Sequence, residues 1–74
     1  MAFSRITSDP EIMAGAPIIR GMRIPVATVV RMAAAGLSRS EICAELPDLE
    51  EQDVAEALSY AAAVVSDHVV ELSA

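Results

Sequence analysis

The spacing of apolar positions predicts a first helix directly after the two prolines and two glycines of the N-terminal third. Pro25 suits a first helical turn, because the backbone N–H that proline lacks would have no intrahelical partner there. Gly36 stands where a glycine in the left-handed conformation ends a helix. The pattern therefore predicts a helix that begins at Pro25 or Val26 and ends before Gly36. Its apolar stripe consists of Val26, Val29, Val30 and Ala33.

Two further helices are predicted by their capping residues. Ser38 and Glu41 form an S-x-x-E capping box at the start of the second, and Pro47 ends it. The inward positions of the second helix are Ile42, Cys43 and Leu46. Acidic residues open the third helix, where they suit the positive end of the helix dipole, and it runs from about Glu51 to Val65.

The third helix is apolar on nearly all sides after its first turn. A helix of this kind is buried all round, and three helices offer little to bury it against. The pattern therefore predicts a second molecule, either another copy of this chain in a dimer or a different partner. The predicted interface residues are Val54, Leu58, Ala61, Val65, Val69 and Leu72.

Short extended segments precede the helices. Phe3–Thr7 is a candidate strand, and two further extended pieces, at 18–20 and 23–24, flank a turn at Gly21. A ribbon of this size is not stable alone in water, so pairing with the same segment of a second chain is expected to stabilise it.

The predicted fold is therefore mainly α. It is a three-helix, helix-turn-helix-like bundle with a short N-terminal β element, in an intertwined dimer. The 74 residues make one domain, divided into an arm at 1–24, helices at 25–65 and a tail at 66–74.

The loop before the first helix carries the most specific motif of the chain. It reads G-A-P-I-I-R-G-M-R-I-P-V from Gly15 to Val26, and S-D-P-E-I precedes it. Together with S-x-x-E-I…L-P-x-L and D-V-x-x-A-L-x-Y-A downstream, this order resembles the domain-of-unknown-function 433 family from about Ile6 to Ala62. Met22 departs from the usual Thr, and Ala16 from the usual Gly or Lys. The resemblance implies a relative of the antitoxins of Vap-type toxin–antitoxin pairs, with a PIN-like ribonuclease as the toxin.

Composition narrows the function classes. Apolar residues make up 54% of the chain, more than so small a domain hides inside itself, which again favours an interface. No apolar h-region follows Met1–Arg5 and no uncharged window is long enough for a membrane span, so a cytoplasmic protein with no membrane contact is expected. The single cysteine forms no internal disulfide, and we expect no metal, no cofactor and no catalytic residues.

Charge divides the chain into two parts. Residues 1–40 carry five arginines against two acids, whereas residues 41–74 carry nine acids and no Lys or Arg. The arginines around the Gly21 turn, with Arg5, are the candidate DNA contacts, since exposed amides and guanidiniums bind anions. The alternative is that they pair with Asp9, Glu11 or an acidic helix, and both interpretations stay open. The candidate DNA-binding residues are Arg5, Arg20, Gly21 and Arg23.

The third helix is not expected to read DNA. Glu50, Glu51, Asp53 and Glu56 lie in its first turns, where base and phosphate contacts of a recognition helix would be made. The favoured function is an antitoxin-like protein that neutralises a PIN-like ribonuclease with its acidic C-terminal half, the tail included, and that binds operator DNA with its arginines. The alternatives are a stand-alone DNA-binding regulator and a purely structural oligomerisation module.

Overall fold

The computed structural model describes residues 3–66, which form three helices and a short two-stranded sheet. This confirms the predicted mainly helical fold with a small N-terminal β element. The elements are β1 (Ile6–Thr7), β2 (Ile18–Ile19), α1 (Val26–Ala34), α2 (Arg39–Glu45) and α3 (Glu51–Ser66), with one 3-10 turn at Met13–Gly15 between the strands.

The sheet is formed within the chain. Its two strands run antiparallel, with Ile6 opposite Ile19, and Ile18 makes a further bridge to Pro25. Both residues of β2 are completely buried, and Ile19 belongs to the main hydrophobic core. The two strands therefore pair with each other within one chain, and the ribbon is stabilised by packing on the helices.

Local signals set the helix ends as predicted. At the end of α1, Gly36 has φ +98°, its N–H donates to the carbonyl of Ala33 at 3.0 Å, and the N–H of Leu37 donates to Met32 at 3.2 Å. This is a Schellman motif, which needs a left-handed residue at the glycine position. At the start of α2, the N–H of Glu41 donates to the Ser38 hydroxyl, and the N–H of Ser38 donates to the Glu41 carboxylate, as a capping box requires.

One core joins all three helices and β2. Its buried apolar members are Ile19, Val26, Val29, Ile42, Leu49, Val54 and Ala57. The prediction of Val54 as an interface residue is wrong, because its side chain is 0% exposed and packs inside this core. The reason is that α1, α2 and β1 all contact α3, so the domain itself covers most of the apolar surface of that helix.

The C-terminal turn of α3 is less covered. Val64 is 38% exposed and Val65 is 67% exposed, whereas Leu58 and Ala61 are half-buried and pack against the core. Val69 and Leu72 lie outside the described residues. Within residues 3–66, none of the helices combines the length and apolar character that crossing a bilayer requires.

Candidate functional site

A tight turn of positive-φ residues presents Arg20. The N–H of Met22 donates to the carbonyl of Ile19 at 2.9 Å, and the two central residues, Arg20 and Gly21, have φ of +48° and +70°. Positive φ at both central positions is typical of a type I′ hairpin turn. Glycine adopts this conformation readily, but for arginine it is uncommon, so contacts of the arginine side chain must hold it.

Those contacts are made with Asp53 on the first turn of α3. The guanidinium of Arg20 donates through Nε to Asp53 Oδ1 at 3.0 Å and through Nη2 to Asp53 Oδ2 at 2.9 Å. Nη2 also donates to the backbone carbonyl of Asp48 at 3.0 Å. This two-pronged geometry is the strong form of an arginine–carboxylate pair, and it joins the turn to the start of α3.

Arg5, which directly precedes β1, binds the same carboxylate. Its Nη1 donates to Asp53 Oδ1 at 2.8 Å and to Glu50 Oε1 at 2.7 Å. The backbone of Arg5 also takes part, since its carbonyl accepts from the N–H of Arg20 at 2.7 Å and its N–H donates to the Glu56 carboxylate. The N-terminal arm is therefore attached to α3 by both its side chains and its backbone.

Asp53 is the centre of this cluster and is completely buried. Besides the two guanidiniums, its Oδ2 accepts the backbone N–H of Glu50 at 2.8 Å, which satisfies a free donor at the helix start. Burial acts to raise the pKa of Asp53. The hydrogen bonds from Arg20, from the Glu50 N–H and from Arg5 outweigh burial and lower this pKa to about 2.

We expect this cluster to make stability depend on pH in the acid range. An unfolded aspartate has a pKa of about 3.9, above the folded value, so Asp53 stabilises the fold fully above that pKa. The stability is lost as pH falls from about 4 towards 2. Urea unfolding followed by circular dichroism at a series of pH values measures this, and in Asp53→Asn this part of the pH dependence should flatten. An equally steep loss in that variant would contradict the assignment.

The cluster engages several of the groups that were predicted to contact DNA. Arg5 and Arg20 are ion-paired with α3, as the alternative interpretation, pairing with an acidic helix, predicted. The Gly21 N–H is also engaged, since it donates to the Thr7 hydroxyl at 3.0 Å. Arg23 is exposed and makes no salt bridge within residues 3–66. DNA binding at these positions stays a prediction.

By sequence, Asp53 was only one of the acids predicted to open the third helix at the positive end of its dipole. Its side chain does accept the Glu50 N–H at the helix start, but the residue is buried and not on the surface. A signal was available: Leu49, Asp53 and Ala57 follow at four-residue spacing, which places Asp53 on the buried face of the helix. An acid on such a face must find cations, and the chain has few of them.

A second feature is an apolar groove of about 410 Å³ between α1 and α3. Predicted interface residues Ala61 and Val65 lie in it, and Tyr60 contributes its ring, which also meets Phe3 edge-on at 5.4 Å between centroids. Of the described residues in the wall, Arg31 is the only charged one. We call this the α1–α3 groove; it is lined by Ala16, Pro17, Pro25, Val26, Ala27, Val30, Arg31, Tyr60, Ala61, Val64 and Val65.

A third feature is a group of exposed acidic side chains. Five exposed carboxylates lie on α2, on the α2–α3 connection and on the first residue of α3. We call this surface the acidic corner; it consists of Glu41, Glu45, Asp48, Glu50 and Glu51. In the part of the chain that the structure describes, no three His, Cys, Asp or Glu side chains are arranged to hold a metal ion.

Fold and site together define a small helical domain whose β arm is tied to its third helix by a buried aspartate. Over residues 6–61 the sequence matches the family described as Protein of unknown function (DUF433), and the chain belongs to that family.

Two relatives support this assignment. A crystal structure of a DUF433 member protein from Anabaena variabilis ATCC 29413 has a TM-score of 0.70 and 34% identity, covering 76% of this chain and 55% of that one. The uncharacterized protein y4eO of Sinorhizobium fredii is 38% identical over 58 residues, which are 78% of this chain and 26% of the relative. The present chain therefore spans about a quarter of that curated relative and about half of the solved chain.

Proposed function

We propose that this protein is an antitoxin-like inhibitor that neutralises a PIN-like ribonuclease by covering the RNA-binding surface of the enzyme. The observation that supports this is the acidic corner, whose five exposed carboxylates all lie within residues 41–51. A surface that binds RNA is rich in Lys and Arg, so an array of carboxylates is complementary to it and competes with phosphates. As part of this proposal, the protein acts in the cytoplasm.

The ion-paired cluster gives the acidic corner its position. Arg20 donates to the backbone carbonyl of Asp48, and Arg5 pairs with Glu50, whose side chain still remains 65% exposed. Asp53 pairs with both guanidiniums, and Glu50 is the one carboxylate of the acidic corner that forms a salt bridge within residues 3–66. The arginines of the N-terminal arm thus hold the α2–α3 connection in place, a role that also explains why they lie close to the acids.

The test is charge reversal within the acidic corner. Under this proposal, a neighbouring gene encodes a PIN-like ribonuclease. We expect Glu45→Lys with Asp48→Lys to weaken binding to that ribonuclease by about tenfold or more for each reversed charge, because close charge pairs across interfaces carry about 1.5 kcal/mol or more. Binding is measured by calorimetry, and inhibition by cleavage of a labelled RNA. Since both side chains are exposed, the fold should be unaffected.

Glu11→Lys is the matched control, because Glu11 is exposed on the N-terminal arm, outside the acidic corner. It should inhibit like the unmodified protein. The proposal fails if the neighbouring ribonuclease does not bind, or if the double variant blocks RNA cleavage as well as the control does.

Operator binding would use arginines that are largely engaged within the domain. Of the three arginines in the predicted DNA contacts, only Arg23 lies outside the salt bridges of residues 3–66, so a stand-alone regulator gains no support from the geometry. The predicted inhibitory role of the tail beyond Val65 concerns residues outside the described part, and we assign inhibition to the acidic corner instead.

A further inference from the structure

We propose that the α1–α3 groove binds residues 69–72 of a second copy of this chain, so that two copies exchange their C-terminal segments. The proposal concerns assembly and does not depend on the ribonuclease. It rests on the shape and chemistry of the groove and on the composition of the segment that follows α3.

The groove requires an apolar occupant. All of its lining residues within 3–66 except Arg31 are apolar or aromatic, and Val65 remains 67% exposed. An open apolar surface of this kind on a small domain is a site of association. The groove is concave, so two grooves placed face to face would leave a void and would bring the two copies of Arg31 together. A protruding segment is needed.

Arg31 adds a charge requirement. It is exposed, it lies in the groove wall, and within residues 3–66 it makes no salt bridge. An occupant with one carboxylate among apolar side chains would therefore complement the groove. Residues 69–72 have this composition: Val69, Val70 and Leu72 surround Glu71.

A second copy fits better than the same chain. Val64 and Val65 line the groove from α3, and Val69 follows Val65 in the sequence after only three residues. To place residues 69–72 in its own groove, the chain would have to reverse within residues 66–68, and a β-turn takes four residues. The segment of a second copy has no such constraint, and two-fold exchange fills both grooves.

The first experiment uses two full-length variants and sedimentation equilibrium at low micromolar concentration. Ala27→Trp blocks the groove at an exposed lining residue, and Val69→Ser with Leu72→Ser removes the apolar contacts of the segment. The unmodified protein should be a dimer and each variant alone should be a monomer with unchanged circular dichroism. An equimolar mixture should form a heterodimer, because one intact groove then meets one intact segment.

The charge requirement is tested separately. Arg31→Glu and Glu71→Arg should each weaken dimerisation by about tenfold, and the two changes in one chain should restore it. Arg39→Glu is the control, since Arg39 is exposed at the start of α2 and lies outside the groove wall, and it should dimerise normally.

Three results would overturn the proposal. One is an unmodified protein that is monomeric at tens of micromolar. Another is a pair of single variants that stay dimeric, which would place the contact elsewhere. The third is a mixture of the two variants that does not associate, which would mean that each segment binds its own groove or none.

Discussion

Replacing Asp53 with asparagine is expected to lower the free energy of unfolding by about 2–3 kcal/mol. Asparagine keeps the shape of the side chain but removes the negative charge that faces Arg5 and Arg20. Its amide NH₂ group is a hydrogen-bond donor, and it would face the N–H donors of the two guanidiniums. Breaking a buried ion pair costs about 3–5 kcal/mol, and the partial exposure of both arginine side chains, 29% and 39%, reduces that cost.

Urea unfolding at pH 7, followed by circular dichroism, measures this loss. Glu51→Gln is the control, because it removes one carboxylate from the same helical turn at an exposed position and should change stability by less than about 0.5 kcal/mol. Domains of this size are stable by roughly 5–10 kcal/mol, so the expected loss is a large share of the total. Equal urea midpoints for Asp53→Asn and the control would show that the cluster is not a structural link.

Val54→Asp is expected to abolish folding. Val54 is 0% exposed and packs in the apolar core between the helices. An unpaired carboxylate in such a place costs more than about 4 kcal/mol, or forces the side chain to take up a proton. Circular dichroism should therefore show loss of helix at neutral pH, at every protein concentration.

Ser59→Asp is the matched control, since Ser59 is exposed on the same helix. It should fold like the unmodified protein. The comparison also separates core from interface. If Val54→Asp gave a folded monomer, Val54 would be a contact between molecules, as the sequence pattern predicted, and the core described here would be wrong.

The predicted interface residues therefore divide by position along α3. Near the start of the helix, Val54 is covered by the rest of the domain, whereas Val65 at the end is exposed and lines a groove. A helix that is apolar all round indicated burial, but not which part would be buried by the chain itself. The surplus of apolar surface is thus concentrated at the C-terminal turn, where the proposed exchange would cover it.

The helix boundaries were predictable from the sequence by itself. Gly36 and the Ser38–Glu41 box act within four residues of the backbone groups that they satisfy, so the local sequence determines them. The apolar stripe of α1 likewise needs only helical spacing, and Val26 and Val29 are buried as it predicted. The DUF433 motif around the Gly21 turn was also visible in the residues alone.

The arginine cluster was decided by the tertiary structure. Arg5 and Arg20 are 48 and 33 residues away from Asp53, so no local signal selects their partner. The sequence left DNA contact and pairing with an acidic helix equally open, because a guanidinium binds phosphate and carboxylate by the same hydrogen bonds. The fold favours pairing with the acidic helix, because it brings Arg5 and Arg20 to the start of α3. There the Asp53 carboxylate is buried away from water and must be neutralised by the nearest cations.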